Sequence, residues 1–270
     1  LGALVFSYIG GVRSVIYSDV LQAITYVGAG IVVFVYLYME LNSDITTIFL
    51  KLYEADKLNV IDYSLNGGFS VWSLLTGWFL LNIAAYGLDQ DMTQRVLSCK
   101  NEKEAKKSLY FSIIVTIPIV LLFLAIGLLL YIFYDTVDIK QNFNGEKVTI
   151  FMYYILNQMP DGLKGLITVG AVAAALSSTN SVLSAMSSVA INDIFKPWYI
   201  QKYQKENDIL FLKLAHWFML LFAFLLVAMA ILSYYWQQFS DLPLLSFALS
   251  VMAFAYSGLL GVYFSALFTK

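Results

Sequence analysis

The residues best suited to chemistry lie in one short run, Ala173-Ala174-Ala175-Leu176-Ser177-Ser178-Thr179-Asn180-Ser181. Positions 170, 174, 177, 181, 184 and 188 recur at helical spacing, so Gly170, Ala174, Ser177, Ser181, Ser184 and Ser188 share one face of a helix. Two uses of that face are compatible. Small residues let helix backbones approach closely, and serines bond across such an interface. The same stretch also sets the oxygens of Ser177, Ser178, Asn180 and Ser181 within about one turn. A hard monovalent cation such as Na⁺ takes neutral or carboxylate oxygens of this kind in place of its water.

Two further places carry polar groups among apolar neighbours. Asp19 follows Gly10-Gly11-Val12-Arg13 at the start of a hydrophobic block. A carboxylate there is either interfacial or a ligand facing the bundle interior. Asn82 sits inside an apolar block that ends in Tyr86-Gly87-Leu88-Asp89-Gln90-Asp91-Met92-Thr93-Gln94-Arg95. The residues alone suggest an interhelical hydrogen bond for Asn82, a helix loosened at Gly87, and a solvated inner cap from Asp89 to Arg95 in which Arg95 pairs with Asp89 or Asp91. Gly28, Gly30 and Pro118 read as packing and helix irregularity, and the lone His216 as packed or interfacial. No Ser/His/Asp constellation, P-loop or transition-metal motif is present, so an enzyme is not expected. The net charge of −2 comes with no basic run, so no nucleic-acid partner is expected.

The elements that must hold these groups are set by composition. Of the 270 residues, 60% are hydrophobic and 13% charged, and the apolar ones fall in six charge-poor blocks. Each exceeds the roughly 18 residues that mark a membrane span, and a backbone in lipid must satisfy its own hydrogen bonds. The expected architecture is therefore an all-α integral membrane protein with the lipid bilayer as its surroundings. It would form one transmembrane domain over residues 1–270, with spans near 14–39, 69–91, 108–134, 163–192, 209–236 and 241–269. The chain opens on Leu1 in an apolar stretch and stops on Lys270 at a span end, and it reads as a piece of a longer protein.

Charge sets the orientation. Arg13, Arg95, Lys100, Lys103, Lys106, Lys107, Lys196, Lys202, Lys205, Lys213 and Lys270 fall on one side, against Lys51, Lys57, Lys140, Lys147 and Lys164 on the other. The first set is cytoplasmic by the positive-inside rule, in a multi-pass protein of the plasma (inner) membrane. Short helices are expected in the outer loops over Ile45 to Tyr53 and Val148 to Gln158, a turn at Asn66-Gly67-Gly68, and a loop over Asp193 to Lys213.

Three stretches resemble the sodium:solute symporter family, which includes sodium–glucose, sodium–sialic acid and sodium–proline transporters. They are Gly10 to Gln22, Gly87 to Leu97, and Ala173 to Ser188 followed by Asn192-Asp193-Ile194-Phe195-Lys196-Pro197. The resemblance implies a leucine-transporter-like bundle of two inverted repeats, of which this chain supplies core helices 5 to 10. It implies a Na⁺ site from the carbonyl of Ala174 and the hydroxyls of Ser177 and Ser178, completed by the first core helix. It implies a second Na⁺ site from Asp19, Ser177, Asn180 and Ser181, where Asn180 replaces a hydroxyl common in the family. Asn82, Ala85 and Tyr86 stand at substrate-binding or gate positions. Ala85 replaces an inner-gate tyrosine, and the sixth span lacks the glutamine of sugar carriers, so both depart from the hexose pattern.

The function implied is Na⁺-coupled symport, by alternating access, of a small organic solute: a sugar, sialic acid, amino acid or carboxylate. A different class remains beside it, a transporter-like membrane sensor attached to a signalling module. A C-terminal kinase region would distinguish the two. A passive channel would need a charged ring lining the spans, which the sequence lacks.

Overall fold

The computed structural model describes residues 2–65, 69–135, 140–143, 146–239 and 244–269. The turn expected at Asn66-Gly67-Gly68 lies outside them. The elements are α1 (Gly2–Leu41), α2 (Ile45–Glu54), α3 (Val71–Ser73), α4 (Phe79–Gly87), α5 (Gln90–Leu97), α6 (Glu102–Tyr134), β1 (Lys140–Phe143), β2 (Glu146–Thr149), α7 (Ile150–Gln158), α8 (Asp161–Val189), α9 (Lys196–Tyr203), α10 (Asp208–Phe239) and α11 (Leu244–Phe268). A π-helical stretch, Leu74–Trp78, joins α3 to α4, and another, Ala190–Phe195, joins α8 to α9. Among the described residues, five helices are long and apolar enough to cross a membrane. The pair Val71–Gly87 and Gln90–Leu97, bent by 46°, makes a sixth when counted as one span.

Helices outlast the apolar blocks that reveal them. The span expected from 108 begins in the charged turn at Glu102, because the Asn101 side chain accepts the Glu104 N–H at 2.9 Å and caps the helix. Hydropathy reports the thickness of lipid, whereas a helix ends where its backbone loses a partner. The loop expected over Asp193 to Lys213 is likewise corrected. The fourth span continues as helix to Tyr203 and stops at Gln204, which takes a left-handed conformation at φ 53°. Pro197 has no N–H for the carbonyl of Asp193, and the wider π-helical turn just before it accommodates that lost bond. The loop helix expected from Val148 starts at Ile150, with Thr149 accepting the Met152 N–H. Val148 and Thr149 instead belong to β2, which pairs antiparallel with β1.

The chain packs as two compact units. One comprises residues 18–62 and 106–177. Its core packs Val33 and Leu37 of α1, Ile48 and Leu52 of α2, Ile126 and Leu130 of α6, and Tyr154 of α7. Ile48 and Leu52 are one helical turn apart, which is why the ten-residue α2 has a single buried face. The buried Tyr154 hydroxyl donates to Glu40 at 2.6 Å and fastens α7 to the end of α1. Gly30 makes room on α1 for Phe123 of α6, 3.1 Å from where a Cβ would stand; nothing lies within 4 Å of such a point at Gly28.

The other unit comprises residues 1–17, 63–105 and 178–270. Here α11 packs on α4. The end of the fourth span folds over an aromatic group, with the Phe195 and Tyr199 rings stacked 5.9 Å apart and both against Phe211. Lys196 lies over the Phe211 ring at 5.6 Å and reaches Glu206 at 3.8 Å.

Candidate functional site

In the first of these units, Asp19 on α1 is buried, with 9% of its surface exposed. The Ser177 hydroxyl on α8 donates to its Oδ1 at 2.8 Å. A carboxylate and a hydroxyl at that distance are two oxygens converging from two helices, the donor set that a hard cation takes. Asp19 is therefore packed against α8 through this bond. Ala174 lies one turn from Ser177 on the same helix and is partly buried.

The continuation of α8 belongs to the other unit. Ser178 is exposed, whereas Asn180 and Ser181 are buried, at 0% and 2%. Successive residues of a helix are turned by about 100°, so neighbouring hydroxyls meet different surroundings. Arg95 of α5 donates to the Ser181 hydroxyl and pairs with Asp91 at 3.3 Å. A small void closes around these groups, lined also by Val15, Ile16, Gln94 and Ser184.

The cap expected from Asp89 to Arg95 stays partly solvated, with the Arg95 and Asp91 side chains 39% and 36% exposed, and is partly docked. The second span stops at Gly87, and the N–H groups of Leu88 and Asp89 both bond to the carbonyl of Ala84. Asp89 then starts a new helix: its carboxylate accepts the Asp91 N–H at 2.9 Å. The second oxygen of Asp89 accepts the Tyr256 hydroxyl of α11 at 2.6 Å. Arg95 takes Asp91 as its acidic partner, one of the two considered from sequence. The segment is thus a bend whose first residue is held to α11. A cavity of about 470 Å³ borders it, lined by Leu88, Asp89, Asp91, Ala185, Met186 and Phe222 among others.

Asn82 is exposed and donates to the carbonyl of Trp78, the last residue of the π-helical stretch, at 2.8 Å; the described residues show this local bond rather than one between helices. Ala85 is partly buried and Tyr86 is 38% exposed. Sequence reasoning missed Tyr256, Glu40 and Tyr154. A phenol within an apolar span is the one signal Tyr256 offered, since a buried Tyr hydroxyl ordinarily finds an acceptor. It also missed Arg95 as the partner of Ser181, for which spacing gives no signal.

The family model described as "Sodium:solute symporter family" matches residues 2–270. The chain is 29% identical over 203 residues to the sodium/sialic acid symporter NanT of Aliivibrio fischeri, covering 72% of this chain and 39% of that one. It is 29% identical over 199 residues to the human sodium-coupled monocarboxylate transporter 1, covering 71% of this chain and 32% of that one. It is 23% identical over 198 residues to the human sodium/iodide cotransporter, covering 71% and 30%. The chain thus spans well under half the length of these relatives. Among solved structures, that of a Na⁺-coupled sialic acid symporter in a substrate-bound outward-open state superposes with a TM-score of 0.76 at 24% identity, over 99% of this chain and 54% of that one. That likeness establishes the fold, the leucine-transporter-like bundle expected from sequence.

Proposed function

Because the chain belongs to the sodium:solute symporter family, we propose that it forms part of a Na⁺-coupled symporter and contributes one side of its cation sites. The observation that carries this reading is the Asp19–Ser177 pair, a buried carboxylate met by a neutral hydroxyl from a second helix at 2.8 Å. One Na⁺ is held by the carbonyl of Ala174 and the hydroxyls of Ser177 and Ser178. A second is held, on this side of the site, by Asp19 with Ser177. Each donor replaces a water of hydration, and the single carboxylate supplies the one negative charge that a monovalent cation needs in a low-dielectric interior.

Coupling follows from linkage. If Na⁺ and solute both bind better to the outward-open arrangement than to the alternative, each raises the affinity for the other, and the Na⁺ gradient drives the solute. The second span is bent by 46° at Leu88–Asp89, with Asn82, Ala85 and Tyr86 before the bend. The relatives matched here carry sialic acid, monocarboxylates and iodide by name. All three are anions and two are organic acids, and we assign this protein a small organic acid on the basis of those two. A sugar or amino acid would require the neutral or zwitterionic recognition of other members.

The test is uptake into vesicles by the full-length protein under an inward Na⁺ gradient, with an equal K⁺ gradient as control. Labelled monocarboxylates, sialic acid, sugars and amino acids are compared. Na⁺-driven accumulation of an organic acid supports the reading, and accumulation indifferent to Na⁺ removes it.

A further inference from the structure

Two turns from the Asp19–Ser177 bond, the same two helices meet again in a tight contact at Gly170. Gly170 precedes Ser177 by seven residues on α8, and Tyr26 follows Asp19 by seven on α1, about 10 Å along each helix. A Cβ built on Gly170 would stand 2.8 Å from the Cβ of Ala29, 3.3 Å from the Cα of Tyr26 and 3.5 Å from the carbonyl oxygen of Thr25. Two of these are backbone atoms and the third is fixed to backbone, so no rotamer can yield. Sequence numbers rise along α1 as they fall along α8 between the two contacts, so the helices run antiparallel and both contacts lie on one seam.

The glycine could be a packing detail with no bearing on the polar pair. The magnitudes argue against that. Ordinary carbon contact lies at about 3.5–4.0 Å, so relieving the clash at 2.8 Å would part the helices by about 1 Å. The Asp19–Ser177 bond, at 2.8 Å, sits near the mode for O–H···O, and lengthening it by about 0.8 Å ends it. The displacement that a methyl group demands therefore matches the one the bond cannot survive, and helices transmit it rigidly over two turns. The glycines nearer the start of α8 do not share this property: nothing lies within 4 Å of a Cβ at Gly162 or Gly165.

We infer that Gly170 is the positioning residue that holds α1 and α8 at the separation where Ser177 reaches Asp19. Through that separation it sets the affinity of their site for Na⁺; this last step rests on the function proposed above.

The experiment uses the full-length protein with Cys99→Ser. Asp19→Cys and Ser177→Cys are introduced together and oxidative disulfide trapping is measured, since a disulfide forms only between closely placed Cβ atoms. Trapping is expected to be efficient with Gly170, to fall severalfold with Gly170→Ala, and to recover in part when Ala29→Gly removes the tightest contact and leaves the 3.3 Å approach to the Tyr26 Cα. Unchanged trapping in Gly170→Ala, or no recovery with Ala29→Gly, overturns the inference. Should Gly170→Ala fail to reach the membrane, the paired Ala29→Gly is expected to restore it, and a failure to do so also overturns the inference.

In protein that keeps Asp19 and Ser177, Gly170→Ala should raise the Na⁺ concentration for half-maximal uptake by about tenfold. The solute concentration for half-maximal uptake at saturating Na⁺ should hold, and Gly165→Ala should change neither. If trapping responds while Na⁺ dependence is unmoved in both Gly170→Ala and Ser177→Ala, the Na⁺ reading is overturned and the positioning of the pair stands.

Discussion

The hydroxyl of Ser177 and the carboxylate of Asp19 lie 158 positions apart in the chain and 2.8 Å apart in space. That bond turns the Ser177 side of α8 toward the Asp19 side of α1.

Removing the charge from this pair while keeping its shape gives the first prediction. Asp19→Asn should raise the Na⁺ concentration for half-maximal uptake by about tenfold or more, roughly 1.4 kcal/mol, with surface expression unchanged. Na⁺ titration of uptake in proteoliposomes measures this. An Asn variant titrating like the native protein would exclude Asp19 as a Na⁺ ligand.

A sharper loss is expected on α8. Ser177→Ala with Ser178→Ala takes away two of the three oxygens assigned to the first site and should abolish Na⁺-dependent uptake while leaving expression intact. The pair of variants removes hydroxyls without changing backbone or adding bulk, so persistence of native Na⁺ dependence would rule out that site.

At the bend after Gly87, Tyr256 and Asp89 join α11 to the start of α5 at 2.6 Å. Tyr256→Phe and Asp89→Asn should each lower the thermal stability of the detergent-solubilised protein. In a double-mutant cycle the coupling should be about 0.6–1.7 kcal/mol, the range of polar contacts inside membrane proteins. Additive effects would mean that the two groups do not act on each other.

Outside the spans, the Tyr154 phenol is fully buried on α7, and burial together with the Glu40 carboxylate it bonds raises its pKa well above the ordinary value. The neutral form is therefore favoured by folding. Its contribution is complete below the unfolded value of about pH 10 and is lost as pH rises toward the higher folded value. Tyr154→Phe should cost about 1.5–3 kcal/mol near neutral pH. It should also flatten part of the alkaline limb of the stability curve, read by thermal unfolding from pH 8 upward. An identical alkaline limb in the variant would show that another group sets it.

Much of this was open to inspection in the chain alone. The long apolar helices, the presence of short loop helices after Ser43 and before Met159, and the small-residue face of the fourth span all follow from composition and period over one segment. Lipid thickness and helix geometry act on a segment without reference to the rest of the molecule. What the sequence could not reveal is which polar group meets which. It offered Arg95 two nearby carboxylates, and the structure gave it Asp91 and also Ser181, which is 86 positions away. It placed a loosened helix at Gly87, but only the fold shows Asp89 capping the next helix while accepting from Tyr256. The hydrogen-bond partner of a side chain depends on how helices are rotated and how closely they cross. Contacts between distant segments fix both, as Gly170 does against Ala29. Local periodicity sets which residues share a face, and tertiary packing alone decides what that face touches.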